Sequence, residues 1–82
     1  MKRYEVCLDK FVDGKWLFSK DYEGEQFEFL DNAKEFIKVM QWVLKNDERF
    51  IIYDYVKDEF TYAIESKGEI YISEIYKENK NE

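Results

Sequence analysis

Carboxylates are the most abundant groups in this sequence that could do chemistry, and their distribution is uneven. The 82 residues include 19 Asp and Glu against 13 Lys and Arg, which gives a formal net charge of −6. Residues 21–35, here termed the acidic segment, hold six acids and one base and so carry −5 of that charge. The six acids are Asp21, Glu23, Glu25, Glu28, Asp31 and Glu35. The acids and bases of the rest of the chain nearly balance, so the net negative charge is concentrated in the acidic segment.

The residue types in this sequence do not favour an enzyme. Histidine is absent from the sequence, so a Ser–His or Cys–His nucleophile is excluded and acid–base catalysis would fall to other side chains. The three glycines form neither a GxGxxG motif nor a P-loop. Cys7 stands between the acidic neighbours Glu5 and Asp9, which raise the pKa of a thiol and make it a poor nucleophile. We therefore predict a protein that is not an enzyme, with a structural role for Cys7.

Metal, cofactor and membrane sites are not predicted either. Zinc sites need several Cys or His. The acids of residues 21–25 alternate as in an EF-hand loop, but glycine stands fourth instead of sixth and Asn32 replaces the bidentate Glu. No apolar run is long enough for a signal peptide or a membrane span. A single cysteine favours a reducing cytoplasm, and the wealth of Lys, Ile, Tyr, Phe and Asn suggests a low-GC bacterium or its phage.

The elements before and within the helix follow from glycine positions and hydrophobic periodicity. Gly14 predicts a hairpin with a three-residue loop between strands at 2–11 and 15–23, because that register gathers Tyr4, Val6, Leu8, Trp16, Phe18 and Tyr22 on one face. A helix is predicted over 31–46, capped by Asp31 or Asn32. Its apolar stripe comprises Ala33, Phe36, Ile37, Met40, Val43 and Leu44, widened by Val39 and Trp42.

Three further strands are predicted at 49–55, 59–65 and 69–75. Alternation groups Ile51, Tyr53, Tyr55, Phe60, Tyr62, Ile64, Ile70 and Ile72 on the face that the helix covers, and leaves Phe11, Leu17, Phe50, Ile52, Tyr71 and Ile75 on the other. The order ββαβββ predicts an α+β fold: a mainly antiparallel five-stranded sheet with one helix packed on one face. We predict a single domain over 1–76 and a polar C-terminal tail over 77–82.

The acidic segment is the predicted partner-binding site. In an extended chain alternate side chains point the same way about 6.6 Å apart, so Asp21, Glu23 and Glu25 would form a row that repels itself and that a basic surface would relieve. The aromatic residues between them could anchor the contact. The predicted contact residues are Asp21, Tyr22, Glu23, Glu25, Phe27 and Glu28. A solvated acidic connection, in which Phe27 and Phe29 plug the core, is the alternative interpretation.

These features favour a small acidic domain that inhibits a basic, nucleic-acid-acting bacterial protein such as a nuclease, with carboxylates in place of phosphates. In size and charge the chain resembles phage-encoded anti-restriction and anti-CRISPR inhibitors and DNA mimics, which implies inhibition of a defence protein. Toxin-neutralising immunity proteins share these traits and remain an alternative.

Two further hypotheses come from the aromatic strands. An assembly module could homodimerise through the aromatic sheet face or an edge strand. Direct stacking of nucleic-acid bases on Tyr53, Tyr55 and Tyr62 is disfavoured, because the chain is acidic and because these rings face the helix in the predicted register.

Overall fold

The structure, a computed structural model, describes residues 2–73. Before the helix it has three strands: β1 (Tyr4–Val12), β2 (Lys15–Phe18) and β3 (Glu25–Phe27). The helix α1 (Leu30–Val39) runs into a short 3-10 helix (Met40–Val43). Three strands follow: β4 (Glu48–Asp54), β5 (Glu59–Ser66) and β6 (Glu69–Ser73). The predicted tail at 77–82 and Ile75 lie outside the described residues.

The strands form one antiparallel sheet in the order β2-β1-β4-β5-β6, with β3 also paired to β1. The predicted α+β fold, with one helix on one face of the sheet, is confirmed. Within residues 2–73 the sheet has six strands instead of the predicted five. The second strand ends at Phe18 and not at the predicted residue 23, and the short strand β3 at Glu25–Phe27 was not predicted. β2 and β3 pair in succession with the same edge of β1.

The gap between β2 and β3 places part of the acidic segment outside the sheet. Six residues, Ser19 to Gly24, stand opposite only Cys7 and Leu8, since Phe18 pairs with Asp9 and Glu25 pairs with Val6. The Ser19 amide donates a hydrogen bond to the Leu8 carbonyl at 2.8 Å, and the chain then turns away at residues 20–21. The predicted extended row of Asp21, Glu23 and Glu25 is therefore wrong, because the extra residues form a loop.

Two hairpin turns are tighter than predicted. Val12 pairs with Lys15 and Ser66 pairs with Glu69, so each loop has two residues. Both loop residues have positive φ in each turn: 52° and 79° at Asp13 and Gly14, and 52° and 82° at Lys67 and Gly68. Turns of this kind match the right-handed twist of the strands. The predicted three-residue loop at Gly14 is wrong, and so is the three-residue gap left between the strands predicted at 59–65 and 69–75.

The tighter turns change which side chains meet the helix. The core between sheet and helix consists of Val6, Leu8, Ala33, Ile37, Phe50, Ile52 and Ile70. The predicted grouping of Ile51, Tyr53, Phe60 and Tyr62 on one face is confirmed, but that face is the one opposite α1, termed here the back face. The predicted positions of Phe50 and Ile52 on the back face are also wrong. Both alternating sets of side chains in β4 are largely apolar, so hydrophobic phase did not decide which set meets the helix.

The helix keeps the predicted stripe but not the predicted ends. Ala33 and Ile37 are buried, and Phe36, Met40, Val43 and Leu44 pack on the core. The residue at the N-cap is Phe29, with no capping bond from a side chain, so the predicted caps Asp31 and Asn32 are wrong. Val39 and Trp42 are 59% and 79% exposed and do not widen the buried stripe.

A matched pair of phenylalanines tests the assignment of the two sheet faces. Phe50 is 1% exposed and Phe11 is 45% exposed. We expect Phe50→Ala to lower the unfolding free energy by about 3–5 kcal/mol, and Phe11→Ala to lower it by about 1 kcal/mol, mainly through the lost ring contact with Trp16. Urea denaturation measures both. Equal losses, or a larger loss for Phe11→Ala, would contradict the assignment.

Candidate protein-binding surface

The acidic segment presents all six of its carboxylates to solvent. Asp21 and Glu23 lie in the loop between β2 and β3, Glu25 is on β3, and Glu28 lies between β3 and α1. Within residues 2–73, no Lys or Arg nitrogen lies within 4 Å of any of these carboxylates. The charge predicted to bind a partner is thus exposed and is not neutralised by contacts inside the described part of the chain.

The two predicted aromatic anchors are partly buried. The Tyr22 ring packs edge-on to Phe50 with centroids 6.2 Å apart, and the Phe27 ring lies 5.4 Å from Phe36. Burial raises the pKa of the Tyr22 hydroxyl, with Glu25 acting in the same direction. Both rings therefore hold the acidic segment against the core while keeping a partly exposed surface. Phe29 is the more exposed ring, at 66%.

A charged pair that was not predicted from the sequence is buried on the back face. Asp9 is fully buried, and its Oδ2 accepts a hydrogen bond from Arg49 Nε at 3.1 Å. The Arg49 guanidinium lies over two rings, 4.3 Å from the centroid of Trp16 and 4.1 Å from that of Tyr62. Asp9 Oδ1 is buried without a hydrogen-bond partner in the described structure. Burial raises the pKa of Asp9, while Arg49 opposes the rise.

A second carboxylate, Glu5, ties three elements together on the back face. It accepts hydrogen bonds from the Tyr55 hydroxyl and from Gln26 Nε2, the latter at 3.2 Å. The Tyr55 hydroxyl is the main cause of the lowered pKa of Glu5. Cys7 is buried beside it, and burial, followed by the charge of Glu5, raises the thiol pKa to about 12. A thiol that stays protonated at neutral pH agrees with the structural role predicted for Cys7.

The rest of the back face is aromatic and partly open. Phe18 and Phe60 meet edge-on at 5.9 Å, and Tyr53 lies 4.7 Å from Phe60. Several large apolar side chains on this face are exposed: Phe11, Phe18, Ile64 and Tyr71. Tyr53 and Tyr62 do not face the helix, so the orientation argument against base stacking is wrong. The argument from net negative charge remains.

Asp54, at the end of β4, forms an ion pair in which its pKa shifts in the direction opposite to that of Asp9. Both carboxylate oxygens of Asp54 accept hydrogen bonds from Arg3, each at 3.0 Å. Asp54 Oδ1 also accepts from the Val56 and Lys57 amides, at 2.9 and 3.2 Å. These bonds, that from Arg3 first, lower the pKa of Asp54.

A metal site, a membrane-spanning helix or a known relative would also indicate a function. Among residues 2–73, no group of three or more acidic or cysteine side chains is placed to hold a metal ion. No helix in this part of the chain has the length and apolar character needed to cross a membrane. Neither a protein-family model, nor a curated protein, nor a solved structure matches this chain. The function is therefore inferred from the residues themselves.

The two aspartates predict opposite dependences of stability on pH. Since the folded pKa of Asp9 is raised, its favourable contribution is present below the unfolded pKa and is lost as pH rises through the folded value. Since the folded pKa of Asp54 is lowered, its contribution is present above the unfolded pKa and is lost as pH falls through the folded value. A pKa displaced by one unit changes the folding free energy by about 1.4 kcal/mol.

Chemical denaturation at successive acidic pH values tests this with Asp9→Asn and Asp54→Asn. We expect the stability of the native chain relative to Asp9→Asn to fall as pH rises, and its stability relative to Asp54→Asn to rise. Each variant serves as the control for the other, because both remove one carboxylate. Slopes of the same sign would contradict the assigned environments.

Proposed function

We propose that this chain is a non-enzymatic, cytoplasmic protein-binding domain whose acidic segment docks on a basic protein surface. The finer proposal is that the partner is a nucleic-acid-acting protein, such as a nuclease, which the domain inhibits by placing carboxylates where phosphates would bind. A phage-encoded inhibitor of a bacterial defence system is the setting that the charge, size and composition favour. An immunity protein that neutralises a toxin would use the same chemistry.

The observation that supports this proposal is the exposed, internally uncompensated charge of residues 21–35. A net charge of −5 within fifteen residues makes this part of the surface negative, and a cationic surface that approaches it is attracted. Clustered charge also speeds encounter with an oppositely charged partner. Because Tyr22 and Phe27 fix the segment against the core, the carboxylates are presented from a supported surface.

Removing three of these charges tests the proposal. We expect the triple variant Glu23→Gln, Glu25→Gln and Glu28→Gln to fold normally, because these side chains are exposed. It should associate roughly tenfold more slowly with a basic partner captured from bacterial lysate, and the affinity of the native chain should fall steeply as salt increases. Surface plasmon resonance gives the rates, and competition with labelled DNA or RNA tests whether the partner's nucleic-acid site is blocked.

The control removes the same amount of charge elsewhere. Asp13→Asn, Asp47→Asn and Glu69→Gln also neutralise three exposed acids, at the expense of one surface contact between Glu69 and Lys38. Equal slowing by both triple variants would show that only net charge matters. Unchanged association of the first variant would exclude the acidic segment as the binding site.

A second candidate function, self-assembly, is favoured by the exposed aromatic back face. Phe18 on β2 and Tyr71 on β6 are 47% and 57% exposed, so exposed apolar side chains occur at both edges of this face, and large exposed apolar patches commonly mark an interface. The back face includes the Asp9–Arg49 pair, whose charges cancel, and Glu5. Two copies that met there would therefore bring fewer like charges together than two acidic segments would.

Sedimentation equilibrium at millimolar concentration tests self-assembly. A dimer that uses the back face should dissociate in the double variant Phe18→Lys and Tyr71→Lys, and should be unaffected by the triple glutamine variant. A strict monomer at the highest concentration, or a dimer indifferent to both lysines, would remove this candidate.

A further inference from the structure

An open groove runs between β3 and α1, beside the acidic segment. Its volume is about 640 Å³. One side is formed by residues 25–29 and the other by the helix face that carries Asn32, Phe36 and Val39, which follow the three- and four-residue spacing of neighbours on a helix. β3 pairs with β1 alone, so within residues 2–73 no further strand covers its outer edge.

Apolar side chains in the groove are unusually open to solvent. Phe29 is 66% exposed and Val39 is 59% exposed, although each is large enough to gain from burial. Phe36 contributes to the groove with a ring that packs on Phe27 and Phe50 and so has a fixed position. The groove therefore offers apolar contact area on a rigid support.

The charged side chains that line the groove indicate the chemistry of a ligand that could bind there. Its described lining includes three carboxylates, Glu25, Glu28 and Glu35, and one base, Lys2. An occupant with Lys or Arg side chains beside an apolar residue would complement both the charge and the apolar surface. A second copy of this chain would bring its own acidic segment toward these carboxylates, and this like-charge contact disfavours it.

We propose that this groove binds a segment of a partner protein that combines Lys or Arg residues with a large apolar side chain. The apolar side chain packs against Phe36, with Phe29 and Val39 exposed toward the two ends of the groove, and the basic side chains pair with Glu25, Glu28 and Glu35. This inference rests on the proposed function and specifies it: the partner is recognised by an apolar anchor in addition to charge. Anchors of this kind supply most of the binding energy at interfaces, while surrounding charges set the rate and the register.

Selection from a random library of twelve-residue peptides on the immobilised full chain provides the probe. We expect enriched peptides to carry at least two Lys or Arg residues together with Phe, Trp, Leu, Ile or Met. In NMR titrations with the best peptide, the largest amide shifts should lie within residues 25–39. Failure to enrich such peptides, or shifts centred on the back face, would overturn the inference.

Two substitutions test the groove without threatening the fold. Phe29→Ser removes the most exposed ring of the groove and introduces a preferred residue at the N-cap of α1. Val39→Lys adds a like charge for the peptide at the last residue of the helix, where a cation is favourable. Each should weaken binding of the selected peptide at least tenfold, as measured by fluorescence polarisation.

Matched controls lie away from the groove. Val56→Lys, at a position that is 71% exposed, and Tyr71→Ser, at one that is 57% exposed, repeat the changes elsewhere and should alter affinity less than twofold. If binding is weakened by the triple glutamine variant but not by Phe29→Ser or Val39→Lys, the groove inference fails while the proposed function stands. If none of these variants weakens binding, both fail.

Discussion

The structure depends on one strand that is buried on both faces and paired along both edges. Residues 6–9 of β1 are buried in succession, with Val6 and Leu8 directed at the helix and Cys7 and Asp9 at the back face. β4 pairs with one edge of β1, and β2 and β3 share the other. Because both faces of β1 need cover, the helix covers one and the aromatic side chains cover the other. The aromatic side chains that provide this cover are Trp16, Phe18, Tyr53, Phe60 and Tyr62.

The same strand determines where the acidic charge lies. β2 and β3 leave Cys7 and Leu8 without paired residues between them, and the chain crosses that gap through the loop at 19–24. Asp21 and Glu23 are carried outward by this loop, and β3 then returns the chain to the sheet beside the helix. Asp9, on the opposite face, is neutralised by Arg49 within the fold, since an unpaired buried carboxylate would cost several kcal/mol. The fold thus pairs its buried acid and exposes those of the acidic segment.

Much of the fold could be predicted from the sequence, because periodicity and turn residues report local structure directly. The single helix between strands, the helix stripe from Ala33 to Leu44 and the shared face of Ile51, Tyr53, Phe60 and Tyr62 all came from spacing alone, whereas β3 was not predicted. The register in which the strands pair was harder to predict. Hydrophobic phase fixes register only where one face is apolar and the other polar, and here both faces of β1 are buried. The dipeptide Asp13-Gly14, a strong signal for a two-residue turn, was the better guide.

The candidate site was predictable in position but not in shape. The concentration of charge at 21–35 is visible in the sequence, and its exposure follows from the number of carboxylates. The groove could not be predicted from the sequence. It depends on β3 forming a strand separate from β2 and on Phe29 remaining exposed at the N-cap of α1. The Asp9–Arg49 pair was also missed, since an acid in an alternating strand is ordinarily a sign of a solvated face, and the residues that enclose it are distant in sequence.

We propose that the acidic segment and the groove beside it form the surface that a basic partner contacts. Amide hydrogen exchange of the full chain, alone and in complex with a partner captured from lysate, maps that surface. We expect new protection to be confined to residues 21–39, with β5 and β6 exchanging as in the free chain. Protection concentrated in β5 and β6, with residues 21–39 unchanged, would contradict it.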